Sequence, residues 1–374
     1  MKKFKQLFSK VSLLVFVLTA ISCCKKDDPV TPVQPDFYFG ADMSSVNMIE
    51  DYGAVYRDSS KVRDPFVIFR NHGCNVIRVR LFHNPDAKDG YSQYYKPGYC
   101  GLKDAARTIQ RAKDLGMKVC LDFHYSDTWA DPANQKIPKA WQGLTIDILK
   151  DSLYNYTFSV LNNLKAQNLT PEMVQIGNEI DPGLLLPIGK TIAAQATLFN
   201  SGIQAVRNFS QTSDIKPKII IHYADNEGSV QRFQTLINNG VNDFDIMGIS
   251  YYDQWTDMKF AGLTSVIKLL KSTFKKEVMV VETFYQWTNV SEDGKVYDTQ
   301  IQLNGYPVTP AGQHDYLIAL TQSVIDGGGS GVFYWEPAWI SSSLGYGQEI
   351  KALFDFNGNT LSGIDFMNYA YNFK

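Results

Sequence analysis

Metal-binding patterns, phosphate-cradling loops and a strong charge of either sign are all missing from this sequence of 374 residues. Its five histidines are scattered, and no H-E-x-x-H, C-x-x-C or Cys/His cluster occurs, so a catalytic metal has no obvious ligand set. The formal net charge is -2 and no Lys/Arg run lies beyond the N-terminus, which leaves no field suited to nucleic acid. There is no G-x-S-x-G elbow for a serine hydrolase. The Gly-rich "DGGGSG" (326–331) precedes an apolar run, whereas a phosphate loop follows a strand and opens a helix. It reads as a helix-to-strand turn.

No apolar run is long enough to span a bilayer as a helix. "MKKFKQLFSKVSLLVFVLTAISCC" has a basic head and an apolar stretch from Val11 to Ile21, the length of a signal-peptide core. Export is therefore expected. "AISC" resembles a bacterial lipobox, which implies that Cys23 is lipidated and becomes the first mature residue; the alternative is an ordinary cysteine beside a cleavage site. "KKDDPVTPVQPD" is charged and Pro-rich, without hydrophobic periodicity, and reads as a tether. Its Lys25, Lys26, Asp27 and Asp28 resemble the signal that sends lipoproteins to the cell surface in Bacteroides-like bacteria. The expected organisation is a signal peptide over 1–22, a tether over 23–35 and one catalytic domain over 36–374, with the membrane reached through a lipid anchor alone. The domain over 36–374 holds three cysteines, an odd number for an exported domain. Cys74 and Cys120 fall in or beside buried strands, and Cys100 leaves a disulfide open.

From Asp36 onward, short β-branched or apolar runs alternate with segments of helical spacing. The runs are "FYFGAD" (37–42), "NVIRVRLF" (75–82), "KVCLDFH" (118–124), "MVQIGNE" (173–179), "KIIIHY" (218–223), "FDIMGISYY" (244–252), "EVMVVE" (277–282) and "GVFYWE" (331–336). Between them, Asp64-Pro65 opens one helix and Gly73 stops it, "KDAARTIQRAKDLG" puts Ala105, Ile109, Ala112 and Leu115 on one face, and helices are expected over 265–274 and 309–328. Strands joined by helices pair in parallel through right-handed crossovers, and eight such repeats favour an α/β fold of the closed (β/α)8 TIM-barrel type.

An acid at a strand's end, such as Glu179 in "VQIGNEIDPG", is ordinarily a solvated surface group. In this barrel the strand exits build the active site, so the polar residues there become candidates. They are Asp42, Arg78, Arg80, His124, Asn178, Glu179, His222, Tyr251, Tyr252, Glu282, Trp335 and Glu336. Glu179 and Glu282, at the fourth and seventh exits, can face one another across a central pocket, the pairing that glycoside hydrolysis requires. Trp129, Trp141, Trp255, Trp287, Trp335 and Trp339 fall in loops or strand ends, where a ring can lie against a sugar face; core filling accounts for one or two of them.

The motifs "FGADMSS" (39–45), "IRVRLFHNP" (77–85), "LDFHYSDTWADPANQ" (121–135), "PKAW" (138–141), "VQIGNEI" (174–180), "MGISYYDQW" (247–255), "VVETFYQWT" (280–288) and "GVFYWEPAWI" (331–340) resemble glycoside hydrolase family 53, the endo-β-1,4-galactanases, over nearly the whole mature chain. The resemblance implies a retaining, endo-acting enzyme with a polysaccharide substrate and no required cofactor. It makes Glu179 the acid/base, Glu282 the nucleophile and Asn178 a partner of the sugar 2-OH. Arg78 and Tyr251 would keep Glu282 ionised and oriented, and His124, Asp127, Trp129 and Trp335 would form walls and subsites. Asp42, Arg80, His222, Trp255 and Trp287 complete the expected substrate-binding set.

Two departures stand out. "TNVSEDGKVYDTQ" (288–300) lacks the alternating acids of the calcium loop found in bacterial members; Asp293, Asp298 and Glu292 remain candidate ligands, against the reading of a solvated loop. Asp253 stands where a proline or apolar residue is expected. Beside a monomeric surface galactanase stand a non-catalytic glycan-binding lipoprotein, and a hydrolase of xylan, mannan or β-glucan on the same barrel.

Overall fold

The computed structural model describes residues 37–86, 96–345 and 348–373. All eight expected strands form: β1 Tyr38–Asp42, β2 Val76–Leu81, β3 Lys118–Phe123, β4 Met173–Ile176, β5 Lys218–Tyr223, β6 Ile246–Ser250, β7 Glu277–Thr283 and β8 Gly331–Tyr334. Each pairs in parallel with its sequence neighbours, and β1 pairs with both β8 and β2, which closes the sheet into a barrel. The (β/α)8 expectation holds.

Helices α1 Val46–Asp51, α2 Pro65–Asn71, α3 Leu102–Asp114, α4 Ile146–Ala166, α5 Ile192–Thr212, α6 Ser229–Asn238, α7 Phe260–Phe274 and α8 Pro310–Asp326 surround it. The Asp64 carboxylate accepts the Phe66 N–H at 2.7 Å and Pro65 fills the first turn, as the sequence signals required. Thr309 Oγ1 accepts the Gly312 N–H at 3.0 Å at the head of α8. Helix α7 begins at Phe260, five residues before the expected start at 265, and ends on Lys275 in the left-handed conformation without any glycine signal.

Period-two alternation along the strands divides the interior. Tyr38, Val76, Cys120, Met173, Ile220, Ile246, Met279, Val281 and Phe333 form a separate apolar cluster along the barrel axis. Gly40 is required there, because a Cβ would lie 2.0 Å from the Phe333 ring. Two residues further along four of these strands, and four further along β1 and β6, the inward positions turn polar: Asp42, Arg78, Asp122, Gln175, His222 and Ser250 are all buried. That polar layer is the floor of the site. Cys74, Cys100 and Cys120 are buried thiols, not disulfides. Among the described residues no helix is long and apolar enough to cross a membrane. Cys23, the signal peptide and the tether lie outside the described residues.

Candidate active site

Arg78 rises from β2 into the polar layer with 1% of its surface exposed. Its Nη1 lies 3.0 Å from Asp42 Oδ2 and 2.7 Å from Glu282 Oε1, and its Nη2 lies 2.8 Å from both Asp122 Oδ2 and Asn178 Oδ1. One guanidinium thus faces three carboxylates. Glu282 reaches this centre through an irregularity in β7, where the register with β6 shifts after Ile249. Its second oxygen accepts the Tyr252 hydroxyl at 2.9 Å.

Glu179 leaves β4 in a left-handed conformation, φ 45°, which is strained for a non-glycine residue. Neighbouring loops hold it there: Gln135 Nε2 donates to the Asn178 carbonyl at 2.7 Å, and the Asp181 carboxylate accepts the Ala224 and Asp225 N–H groups at 2.7 and 2.9 Å. Glu179 Oε1 lies 2.7 Å from Ser250 Oγ, which lies 2.9 Å from His222 Nε2. His222 Nδ1 is 2.9 Å from Asn178 Oδ1, and Asn178 Nδ2 donates to the Ala130 carbonyl at 2.8 Å.

The two glutamates differ in charge environment. Loss of water raises the pKa of both. At Glu179 the charge of Glu282 adds to the effect and pushes it well above the usual carboxylate range, whereas at Glu282 the Arg78 guanidinium opposes it. The proton shared by the pair therefore resides on Glu179. Burial, aided by Arg78, keeps His222 neutral by pulling it well below its ordinary value.

Glu179 and Glu282 open into one cleft of about 520 Å3, walled by Trp129, Trp255, Trp335 and Trp339. His124, Asn178 and Arg80 also line it. His124 Nδ1 accepts the Ala130 N–H at 2.7 Å and its Nε2 donates to Asp122 at 3.0 Å. Arg80 is bound to Glu336 at 2.6 Å and lies 5.2 Å from the Trp129 ring centre. Burial raises Glu336 to about 7 although Arg80 opposes it.

Five residues expected to face substrate are placed elsewhere. Asp42 and His222 lie in the floor, bound to Arg78 and to Asn178 and Ser250. Tyr251 points outward, its hydroxyl donating to the Met258 carbonyl at 2.6 Å, and Tyr252 takes the place expected of it on Glu282. Asp127 pins two loops by accepting the Asn84 and Lys139 N–H groups at 3.0 and 2.8 Å. Trp287 donates to the Glu349 carbonyl at 2.8 Å and packs on Phe356, and Trp141 packs on His83. Asp253 accepts from Asn304 and Tyr316 at 2.9 and 3.1 Å, a buried bracket and not an outer subsite.

The calcium expectation finds no support. Asp293 is taken up by the Ser291 hydroxyl and the Lys295 N–H of its own turn, and no group of three or more metal-binding side chains converges among the described residues. Sequence reasoning missed Asp122, Gln175 and Ser250 in the floor, and Phe284 and Lys351 in the wall. The strand alternation that carries Arg78 and His222 inward would have found the first three.

Comparison with known proteins agrees with this geometry. Residues 38–367 match the family described as glycosyl hydrolase family 53. The chain is 42% identical over 315 residues to the arabinogalactan endo-beta-1,4-galactanase of Cellvibrio japonicus, covering 82% of this chain and 81% of that protein. It is 34% identical over 388 residues to the endo-beta-1,4-galactanase of Bacillus subtilis, covering 91% and 87%. Among solved structures, the Ignisphaera aggregans GH53 catalytic domain superposes with a TM-score of 0.83 at 32% identity, over 91% of this chain and 98% of that one. A psychrophilic family 10 endo-beta-1,4-xylanase shares 14% identity at a TM-score of 0.55 and shows the barrel alone.

Proposed function

Because the chain belongs to glycosyl hydrolase family 53, we propose that it is an endo-acting β-1,4-galactanase that cleaves galactan with retention of anomeric configuration. The observation that carries this reading is the unequal pair: two carboxyl groups in one aromatic-walled cleft, one bound to a buried guanidinium and one without a cation partner. Glu282, ionised beside Arg78 and oriented by Tyr252, attacks the anomeric carbon while Glu179 gives its proton to the leaving oxygen. Glu179, now a carboxylate, then draws a proton from the water that releases the sugar. Two carboxyl groups and water suffice, so no cofactor is required. The fold does not choose the glycan, since xylanases share it; the galactan assignment is supported by the names of the closely matching relatives.

The test is reducing-end release by the protein lacking residues 1–35 on linear β-1,4-galactan beside xylan, mannan and β-glucan. Short oligosaccharides should accumulate from galactan alone. Binding of galactan without release would support the non-catalytic glycan-binding reading, and release from another glycan would replace the substrate.

Tyr252→Phe should lower kcat/KM by about 10- to 100-fold, the range for a hydrogen bond to a charged group. Tyr251→Phe should leave it near the wild-type value. Equal losses in the two variants, with unchanged melting temperatures, would remove Tyr252 from its role on Glu282.

At the N-terminus we propose lipidation at Cys23 and a monomer tethered to the outer face of a Gram-negative outer membrane. The "AISC" segment and the charged, Pro-rich stretch after it support this reading.

A further inference from the structure

A second hollow of about 390 Å3 opens beside the cleft and shares Trp255, Tyr297 and Lys351 with it. Three glutamines line its wall, Gln348, Gln254 from the loop after β6 and Gln286 from the loop after β7. The Oε1 atoms of Gln254 and Gln286 are buried without a hydrogen-bond partner among the described residues, and Gln286 as a whole is 0% exposed. The Trp255 ring beside them is 68% exposed, an uncovered flat face on the rim.

Lys351 supplies the charge. Its Nζ lies 3.9 Å from the Phe284 ring centre, and among the described residues no carboxylate pairs with it. Burial, with no carboxylate opposing it, lowers the ammonium to about 8, so it is still mostly charged at neutral pH. Glu349, on the same turn, also lines the hollow, but it is 2% exposed. The other cations of the cleft and its floor are matched, Arg80 by Glu336 and Arg78 by three acids.

We infer that this hollow is a subsite for an acidic sugar, a hexuronate residue of the glycan whose carboxylate meets Lys351 and whose ring lies against Trp255. A neutral sugar would cover the Trp255 face but leave the ammonium with only an aromatic ring. A carboxylate gives it a charge-assisted hydrogen bond. The inference rests on the hydrolase reading and adds to it a preference for galactan that carries uronate.

The test compares β-1,4-galacto-oligosaccharides lightly oxidised at C6 to the carboxylate with the same preparation reduced back to the neutral alcohol. Affinity is measured by calorimetry in a Glu282→Gln background, and kcat/KM in the active chain. The carboxylated preparation should be preferred by about tenfold, a modest share of what a charged hydrogen bond can supply. Lys351→Met should bring that ratio to about one and Lys351→Arg should keep it, with both variants melting near the parent. A ratio of one in the parent, or a ratio that Lys351→Met leaves untouched, overturns the inference. Because affinity is read without turnover, a preference in binding accompanied by no cleavage would count against the hydrolase reading and still support the acidic subsite.

Discussion

Glu282→Gln is expected to abolish cleavage of galactan and of an aryl β-galactobioside carrying a dinitrophenolate leaving group, whereas Glu179→Gln should spare the first chemical step on the aryl substrate. The difference follows from what each carboxyl group does. A nucleophile is needed whatever leaves, so a neutral amide at 282 stops both reactions. A general acid is needed only when the leaving oxygen is basic; a dinitrophenolate departs without a proton. On galactan, Glu179→Gln should cost about 10^2- to 10^4-fold in kcat, the usual contribution of a positioned acid. On the aryl substrate it should give a rapid burst followed by a slow steady state, because the base that activates water is missing. Azide, which needs no base, should restore the second step and give a β-galactobiosyl azide. Equal losses on both substrates would mean that Glu179 is not the proton donor.

Arg78→Met should be the most destabilising single change in the site, by about 3–5 kcal/mol, the cost of leaving buried charges without their partner. Asp42, Asp122 and Glu282 all bind this guanidinium within 3.0 Å, and Arg78 is 1% exposed, so water cannot replace it. Urea denaturation would read the loss. Burial pushes Asp122 up, but Arg78 and His124 outweigh it and hold it below the ordinary value. A depressed acid contributes stability that is present above its unfolded pKa and lost as pH falls through the folded one. In the variant that contribution vanishes, so the deficit should be larger at neutral pH than at pH 3. Any activity left in Arg78→Met should have its acidic limb moved to higher pH, because Glu282 loses the charge that opposes its protonation. A variant of wild-type stability would show that the three acids do not depend on Arg78.

Much of the barrel was legible in the sequence, because each strand is a short apolar run bounded by helix-capping residues and each has both faces buried. Asp64, Pro65 and Thr309 announced helix starts that the structure keeps. Lys275 announced nothing, since a left-handed lysine at a helix end leaves no compositional trace. The catalytic pair was legible as two acids at strand exits. The Tyr251 expectation failed because alternation was not carried past the end of β6: from Ile246 through Ser250 the even residues face the axis, which continues to Tyr252. At β7 the same rule would have misled. Val281 lies on the barrel axis, and only the shifted register lets the adjacent Glu282 reach the centre as well. Asp127, Trp287 and Trp141 share loops with true cleft residues, and which way a loop side chain turns depends on partners distant in sequence.

The row of groups from Asn178 to Glu179 can carry its protons in only one direction. Asn178 is fixed by giving Nδ2 to the Ala130 carbonyl and receiving Arg78 at Oδ1, so that oxygen can only accept. His222 Nδ1, at 2.9 Å nearer to that oxygen than to the Gln175 amide nitrogen at 3.3 Å, then holds the ring's proton, and a neutral imidazole has no second one. Its bare Nε2 claims the single hydroxyl proton of Ser250. Ser250 Oγ has nothing left to give to the oxygen 2.7 Å on the other side, so Glu179 must be the donor there. A carboxylate in that place would set two lone pairs against each other. The orientation of an asparagine on one strand end thus decides the protonation state of its neighbour in sequence, and the resting site accepts only a glutamic acid.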